Sequence, residues 1–279
     1  MKEYEYSRLI RRILLYLLEI FIFIFTVFPF FWIIVSSFKG AGEIFLSPPT
    51  IFPKVFTLEN YRRAILENDL LLFAKNSITI GVSTTLVATF IAALAAYGIG
   101  FLKVSGSRLM TIAMVVTQMF PIVVLIIPLF TLCSRLGLIN TYYSLILSNL
   151  AFTVPSAIII MRGYFASVPI ELGEAAQLDG CNNFQMLRKV ILPIVGPGLV
   201  SVAIFTFIGV WQEFLLAVSF ISDSKMNTLP VGLTSYIGEH STDWGGLMAT
   251  SVVIAVPAIL LFLSVQKYFI DNLAGSVKG

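Results

Sequence analysis

The sequence predicts an all-α integral membrane protein, a bundle of six transmembrane helices, and three observations predict it. First, 58% of the 279 residues are hydrophobic and only 12% are charged, where a soluble domain carries about 25% charged residues. Second, six apolar runs each reach the roughly 20 residues that a helix needs to cross a hydrocarbon core of about 30 Å. Third, the runs are continuous. A membrane β-barrel would show short alternating strands, and lipid admits only helices or closed barrels because it offers no partner to free backbone groups.

The spans fall at about 13–36, 77–101, 109–132, 142–162, 194–221 and 246–266. A basic stretch (Arg8, Arg11, Arg12) precedes the first run and invites reading as a signal peptide. The run is too long for such a segment and lacks a small-residue cleavage site, so it reads as a retained span. The second span has no charge and carries small residues four apart, in the stripes Gly81, Thr85, Thr89, Ala93 and Ala92, Ala96, Gly100. Such stripes let helices approach closely in lipid. Prolines stand inside most spans (Pro29, Pro121, Pro128, Pro155, Pro197, Pro257), and each removes a helix hydrogen bond and favours a kink.

Six spans put both termini on one side. With them in the cytoplasm, 11 of the 18 Lys and Arg residues fall inside and 7 outside, the direction expected of cytoplasmic loops. The organisation is then an N-terminal segment, first span and outer loop over 1–76, a core over 77–267, and a cytoplasmic tail over 268–279. In the outer loop Thr57 can cap a short helix with Leu58, Tyr61 and Ile65 on one face. This loop reads either as a lid on the bundle or as a docking surface for an external partner.

The net charge of +3 comes without a basic cluster, so no nucleic-acid face is expected. Two distant cysteines, Cys133 and Cys181, form no framework, and with one histidine, His240, the chain lacks ligands for zinc, haem or iron–sulfur chemistry. His240 reads as an exposed loop residue.

The loop at 163–193, between the fourth and fifth spans, carries the most information. Pro169 suits a first helical turn, with Ser167 before it as a cap. Glu171 and Glu174 follow where the helix dipole favours negative charge. Ala175, Ala176 and Leu178 give a compact apolar face, and Asp179-Gly180 ends the helix. A second short helix starts near Asn183 and ends before Pro193. Two readings stand for this element, a solvated connection or a helix that inserts into a groove on another protein. A DNA-binding helix–turn–helix is excluded, because its acids outnumber its bases.

The string Glu174-Ala175-Ala176-Gln177-Leu178-Asp179-Gly180, followed by Ile191-Leu192-Pro193, resembles the EAA signature of ABC importer permeases. Cys181-Asn182 departs from the Ala-Ser common there. Gly275-Ser276-Val277-Lys278-Gly279 resembles the tail of the MalG-like carbohydrate permeases. Trp211-Gln212-Glu213-Phe214 resembles their Trp-Asn-Glu-Phe string, and Ser37-Phe38-Lys39 and Asn76-Ser77 resemble residues at the same places. The resemblance covers almost the whole chain. It implies a transport subunit of the cell membrane of a bacterium or archaeon, not an enzyme. It further implies a second related permease, an ATPase dimer holding ATP and Mg, an external sugar-binding protein and a sugar substrate, with no cofactor on this chain. The chain indeed has no G-x-x-x-x-G-K-[ST] phosphate loop.

By the same resemblance Glu174, Ala175, Ala176, Asp179 and Gly180 form a cytoplasmic coupling helix that docks on the ATPase, and Ser276, Val277, Lys278 and Gly279 reach the same interface. For a substrate path the polar and aromatic residues inside spans are Gln118, Asn149, Trp211, Gln212 and Glu213. Glu213 is expected inside the fifth span, where a charge costs roughly 3 kcal/mol and faces the bundle interior. Path lining and a helix–helix hydrogen bond are equally open for it. Trp211 could stack on a sugar ring or pack as an ordinary aromatic. An ion-coupled secondary transporter would want several deep ionisable groups, and only Glu213 qualifies, with Glu19 nearer the inner surface.

Overall fold

The structure is a computed structural model that describes residues 2–238 and 241–276. His240 and the tail residues Val277, Lys278 and Gly279 lie outside the described residues. Among these residues the chain is helical, with no strand beyond one isolated bridge between Ile237 and Thr242. Five helices are long and apolar enough to cross a membrane: Ile10–Ser37, Leu70–Phe101, Tyr142–Ala166, Asn183–Trp211 and Trp244–Ser264. A sixth crossing is made only if two short helices, bent 99° from one another, count together. The chain divides into two compact units, one built from the residues up to Leu70 with Leu233–Ala255, the other from Leu71–Gly232 with the chain from Val256 on.

In the first unit, helix α1 (Lys2–Ser37) is exposed from Arg11 to Phe30, a surface suited to lipid or protein rather than water. The loop after it folds on itself. Helix α2 (Glu59–Leu66) appears where expected, and the Thr57 hydroxyl accepts the Glu59 N–H at 3.1 Å. Its buried face is not the apolar one read from the sequence pattern. Leu58 and Ile65 are exposed, whereas Asn60 and Ala64 are buried. Asn60 is drawn inward because its amide donates to the carbonyls of Ser37 and Lys39, both at 2.8 Å, and so ties off the end of α1. Lys39, 2% exposed, donates to the Thr50 carbonyl and lies 4.3 Å over the Trp32 ring. Arg63 pairs with Asp243 at 3.1 Å.

The second unit begins with α3 (Leu70–Ala96), which closes in a wide π turn over Tyr97–Phe101. Helices α4 (Ser107–Gln118), α5 (Ile122–Arg135) and α6 (Tyr142–Ala166) follow. The two small-residue stripes of α3 serve two neighbours. Ala92 and Ala96 are fully buried, and a Cβ on Gly100 would stand 3.0 Å from the Arg162 carbonyl of α6. A Cβ on Gly81 would stand 2.9 Å from the ring of Phe207. At the other end of α3, Asn76 donates to the carbonyls of Lys225 and Asn227 at 2.9 and 2.8 Å, and Ser77 accepts the Leu229 N–H at 2.8 Å. The Asn76-Ser77 pair therefore pins the segment leading into α11 (Leu229–Gly232).

Two expected spans are interrupted. The third, expected as one helix over 109–132, is broken between α4 and α5. Pro121 has no N–H to continue the ladder, holds ψ at 135° and disfavours helix for the residue before it. Pro29, Pro128, Pro155, Pro197 and Pro257 all remain inside their helices. The fifth, expected over 194–221, starts earlier and stops sooner. Helix α8 (Asn183–Met186) runs through a π turn over Leu187–Ile191 straight into α9 (Leu192–Trp211), and the chain then breaks before α10 (Leu215–Phe220). The expected stop before Pro193 does not occur. The wide turn frees a helix from the clash that a proline ring makes with the carbonyl four residues back, so α8 becomes the foot of the span. The last helix, α12 (Trp244–Ser276), begins in the first unit and ends in the second.

Candidate functional site

Two places in the second unit hold the residues singled out by sequence. The first is the loop around α7 (Ile170–Leu178). Its helix starts at Ile170 with Pro169 just outside it, and Ser167 is not its cap: that hydroxyl donates instead to the Tyr164 carbonyl at 2.8 Å. The helix ends at Gly180 in a Schellman turn. The Gly180 N–H reaches the Gln177 carbonyl at 3.0 Å and the Cys181 N–H reaches the Ala176 carbonyl at 2.9 Å. Gly180 has φ +82°, the left-handed region that a side chain resists. Two residues later a capping box opens α8. Asn182 accepts the Gln185 N–H at 2.9 Å, and Gln185 accepts the Asn182 N–H at 3.0 Å. The corner between the helices is thus fixed by backbone hydrogen bonds on the α7 side and by side-chain-to-backbone hydrogen bonds on the α8 side.

The faces of α7 are unlike. Gly173 and Ala176 are buried against the chain's own core, and a Cβ on Gly173 would fall 2.7 Å from Phe101 Cζ and 3.2 Å from Met186 Sδ. The compact face expected from Ala175, Ala176 and Leu178 is therefore split, since helical spacing turns Ala176 inward with Gly173. Glu171, Glu174, Ala175, Asp179 and Leu178 lie on the exposed side, Leu178 at 89%. Behind the loop the Tyr97 hydroxyl donates to the Asn183 carbonyl at 3.0 Å, and the Tyr97 and Phe101 rings stack 5.8 Å apart. Sequence reasoning missed both aromatics, because the π turn that sets them side by side has no sequence signal of its own.

The second place is a cavity of about 230 Å³ lined by Gln118, Ile122, Asn149, Phe152, Thr153, Ser156, Phe205, Thr206, Gly209 and Glu213. Both interrupted spans reach it. Gln118 and Ile122 flank the break between α4 and α5, and Glu213 stands in the break between α9 and α10. Non-helical backbone at membrane depth persists only where protein buries it or a cavity solvates it. Gln118 accepts the Ser156 hydroxyl at 2.8 Å and donates to the Phe152 carbonyl at 3.2 Å, a bridge from α4 to α6. Glu213 is not inside a helix, contrary to expectation. Its carboxylate accepts the N–H groups of Leu216 at 2.6 Å and Ala217 at 3.1 Å, and so caps α10. The cap supplies the partners that a charge at this depth requires, which makes the charge tolerable.

Of the five residues expected in a path, Gln118, Asn149 and Glu213 meet in this cavity. Trp211 and Gln212 do not line it. Trp211 is buried and stacks on Phe207, one turn earlier in α9, at 5.6 Å, and Gln212 is exposed at the end of α9. Thr153 and Ser156 were missed, although their spacing from Asn149 places all three on one helix face.

The family model for the inner membrane component of binding-protein-dependent transport systems matches residues 87–274. The trehalose/maltose transport system permease protein MalG of Thermococcus litoralis is 37% identical, over 98% of this chain and 99% of its own length. The inner membrane ABC transporter permease protein YcjP of Escherichia coli is 33% identical over 92% of each chain. Among solved structures, a chain of a bacterial ABC transporter that imports the acidic polysaccharide alginate shares the fold, with TM-score 0.77 over 94% of this chain and 97% of that one at 24% identity. The chain belongs to the inner membrane components of binding-protein-dependent transport systems, the permease subunits of ABC importers.

Proposed function

We propose that this chain is one of two related permeases that together form the translocation path of an ATP-driven sugar importer, oligosaccharides included. The observation that carries the reading is the loop at 163–193. It holds a helix whose inner face is locked to the permease core, while Glu174, Ala175 and Leu178 stay exposed for another protein. Sugar as the cargo is supported by relatives named for trehalose, maltose and diacetylchitobiose transport.

In this reading α7 seats in a cleft on one subunit of an ATPase dimer that binds ATP and Mg. Glu174 makes the polar contact, Ala175 permits close approach, and Asp179-Gly180 sets the corner. Ala176 acts from behind, holding α7 against its own core. Closure of the ATPase dimer pulls α7, the spans rock, and the cavity near Glu213 changes the side to which it opens. A loaded external binding protein and ATP shift the equilibrium together, because only ligands with different affinity for the two states can do so. Both termini face the cytoplasm, and the tail from Ser276 to Gly279 reaches the ATPase interface.

The test is uptake of labelled trehalose and maltose into vesicles that hold the co-expressed complex and its binding protein. Uptake that requires ATP and resists collapse of ion gradients is the expected result. Uptake that survives complete loss of ATP favours an ion-coupled transporter instead.

A further inference from the structure

The cavity at the two helix breaks has a chemical bias beyond its general role. Among the described residues its lining holds one carboxylate, Glu213, and no Lys, Arg or His. Part of its donor capacity is spent on the protein itself, and the Thr206 hydroxyl adds another donor to the lining. The Thr153 hydroxyl donates to the Asn149 carbonyl at 2.9 Å and the Ser156 hydroxyl to Gln118 at 2.8 Å. One N–H of Asn149 goes to the Leu145 carbonyl at 2.9 Å and one of Gln118 to the Phe152 carbonyl at 3.2 Å, so each amide keeps one. The acceptors are less used. A carboxylate has about four lone-pair sites, and at Glu213 the N–H groups of Leu215, Leu216 and Ala217 take up part of them. The hydroxyl oxygens and the Asn149 side-chain carbonyl add further acceptor capacity. Phe152 and Phe205 supply apolar faces at the same site.

From this balance we infer that the cavity binds a single neutral, hydroxyl-rich ring, a pyranose unit of the cargo, and rejects sugars that carry a carboxylate. Sugar hydroxyls donate into the surplus of acceptors, and the two phenylalanines cover the C–H faces of the ring. A uronic acid would bring a second anion beside Glu213 with no cation to receive it, and like-charge juxtaposition of that kind is a device of specificity. The volume of about 230 Å³, below the roughly 300–1,000 Å³ of pockets for drug-sized ligands, gives this chain's side of the site room for about one ring. The inference rests on the sugar-importer reading of this chain.

Binding to the complete transporter in lipid nanodiscs, without binding protein, tests it. The neutral probes are labelled maltose, trehalose and cellobiose, and the anionic probe is digalacturonate. At least one neutral probe is expected to bind, with digalacturonate weaker by about tenfold or more. The gap is expected to narrow in Glu213→Gln and in Gln118→Arg. The second variant adds a cation at an exposed edge of the cavity and leaves the α10 cap untouched. Equal binding of digalacturonate to the wild type, or a gap unchanged in both variants, overturns the inference. Binding of no neutral probe also overturns it, while ATP-driven uptake in the vesicle assay would leave the importer reading standing.

Discussion

The Tyr97 hydroxyl at the end of α3 donates to the Asn183 carbonyl at the start of α8, 3.0 Å away and 86 residues on in sequence. It ties the span with the small-residue stripes to the corner that carries α7. Tyr97→Phe removes this bond and keeps the ring. A hydrogen bond of this kind contributes about 1 kcal/mol, roughly a fivefold change in a local opening equilibrium. Amide exchange at the start of α8 is expected to quicken by about that factor. Unchanged exchange there would show that the bond holds nothing in place.

Gly173 and Phe101 make a second tie. The 2.7 Å between a Cβ on Gly173 and Phe101 Cζ leaves no room for a methyl group. Gly173→Ala is expected to destabilise the permease by about 1–3 kcal/mol, the usual cost of overpacking. Combining it with Phe101→Leu should recover part of that loss. A thermal-unfolding cycle on the detergent-solubilised complex measures the coupling, and additive losses would contradict direct contact.

At Gly180 the constraint is conformational, since nothing lies within 4 Å of an added Cβ but φ is +82°. Gly180→Ala should cost about 1 kcal/mol and Gly180→Asn less, because Asn tolerates the left-handed region. Thermal midpoints of the two variants check the order.

Acid should loosen the loop after α1. The Lys54 N–H donates to Glu43 at 2.7 Å and, with the Thr50 hydroxyl, holds the Glu43 carboxyl below its ordinary range. A carboxyl depressed in the folded state contributes stability above its unfolded value and loses it as pH falls through the folded value. Exchange protection of the Lys54 amide should therefore persist at neutral pH and fall in acid below the ordinary carboxylate range. Protection independent of pH would contradict the contact.

The first, second, fourth and last spans were readable from sequence because length and hydropathy determine what can cross lipid, and the corner at Asp179-Gly180 because a left-handed residue favours glycine. The breaks were not. Six prolines looked alike as kink signals, and only Pro121 ended a helix, since the cost of a proline depends on whether neighbouring helices keep the chain aligned. Glu213 looked like a charge inside a span because its partners, the N–H groups of Leu216 and Ala217, exist only once the helix has broken. On α2 the pattern of Leu58, Tyr61 and Ile65 suggested an apolar buried face, but Asn60 turned inward to meet carbonyls at the end of α1 that a local pattern cannot reveal. Gln118, Asn149 and Glu213 were picked singly as polar residues in spans, and their meeting in one cavity is a product of packing.

The central claim is that α7 couples this permease to an ATPase through its exposed face. The most direct measurement compares ATP-dependent uptake and ATPase retention in vesicles holding the wild-type complex or Glu174→Lys. Glu174 is exposed, so the substitution leaves the fold intact. The account predicts a large loss of uptake together with a weakened hold on the ATPase. Normal uptake with normal ATPase retention would contradict it.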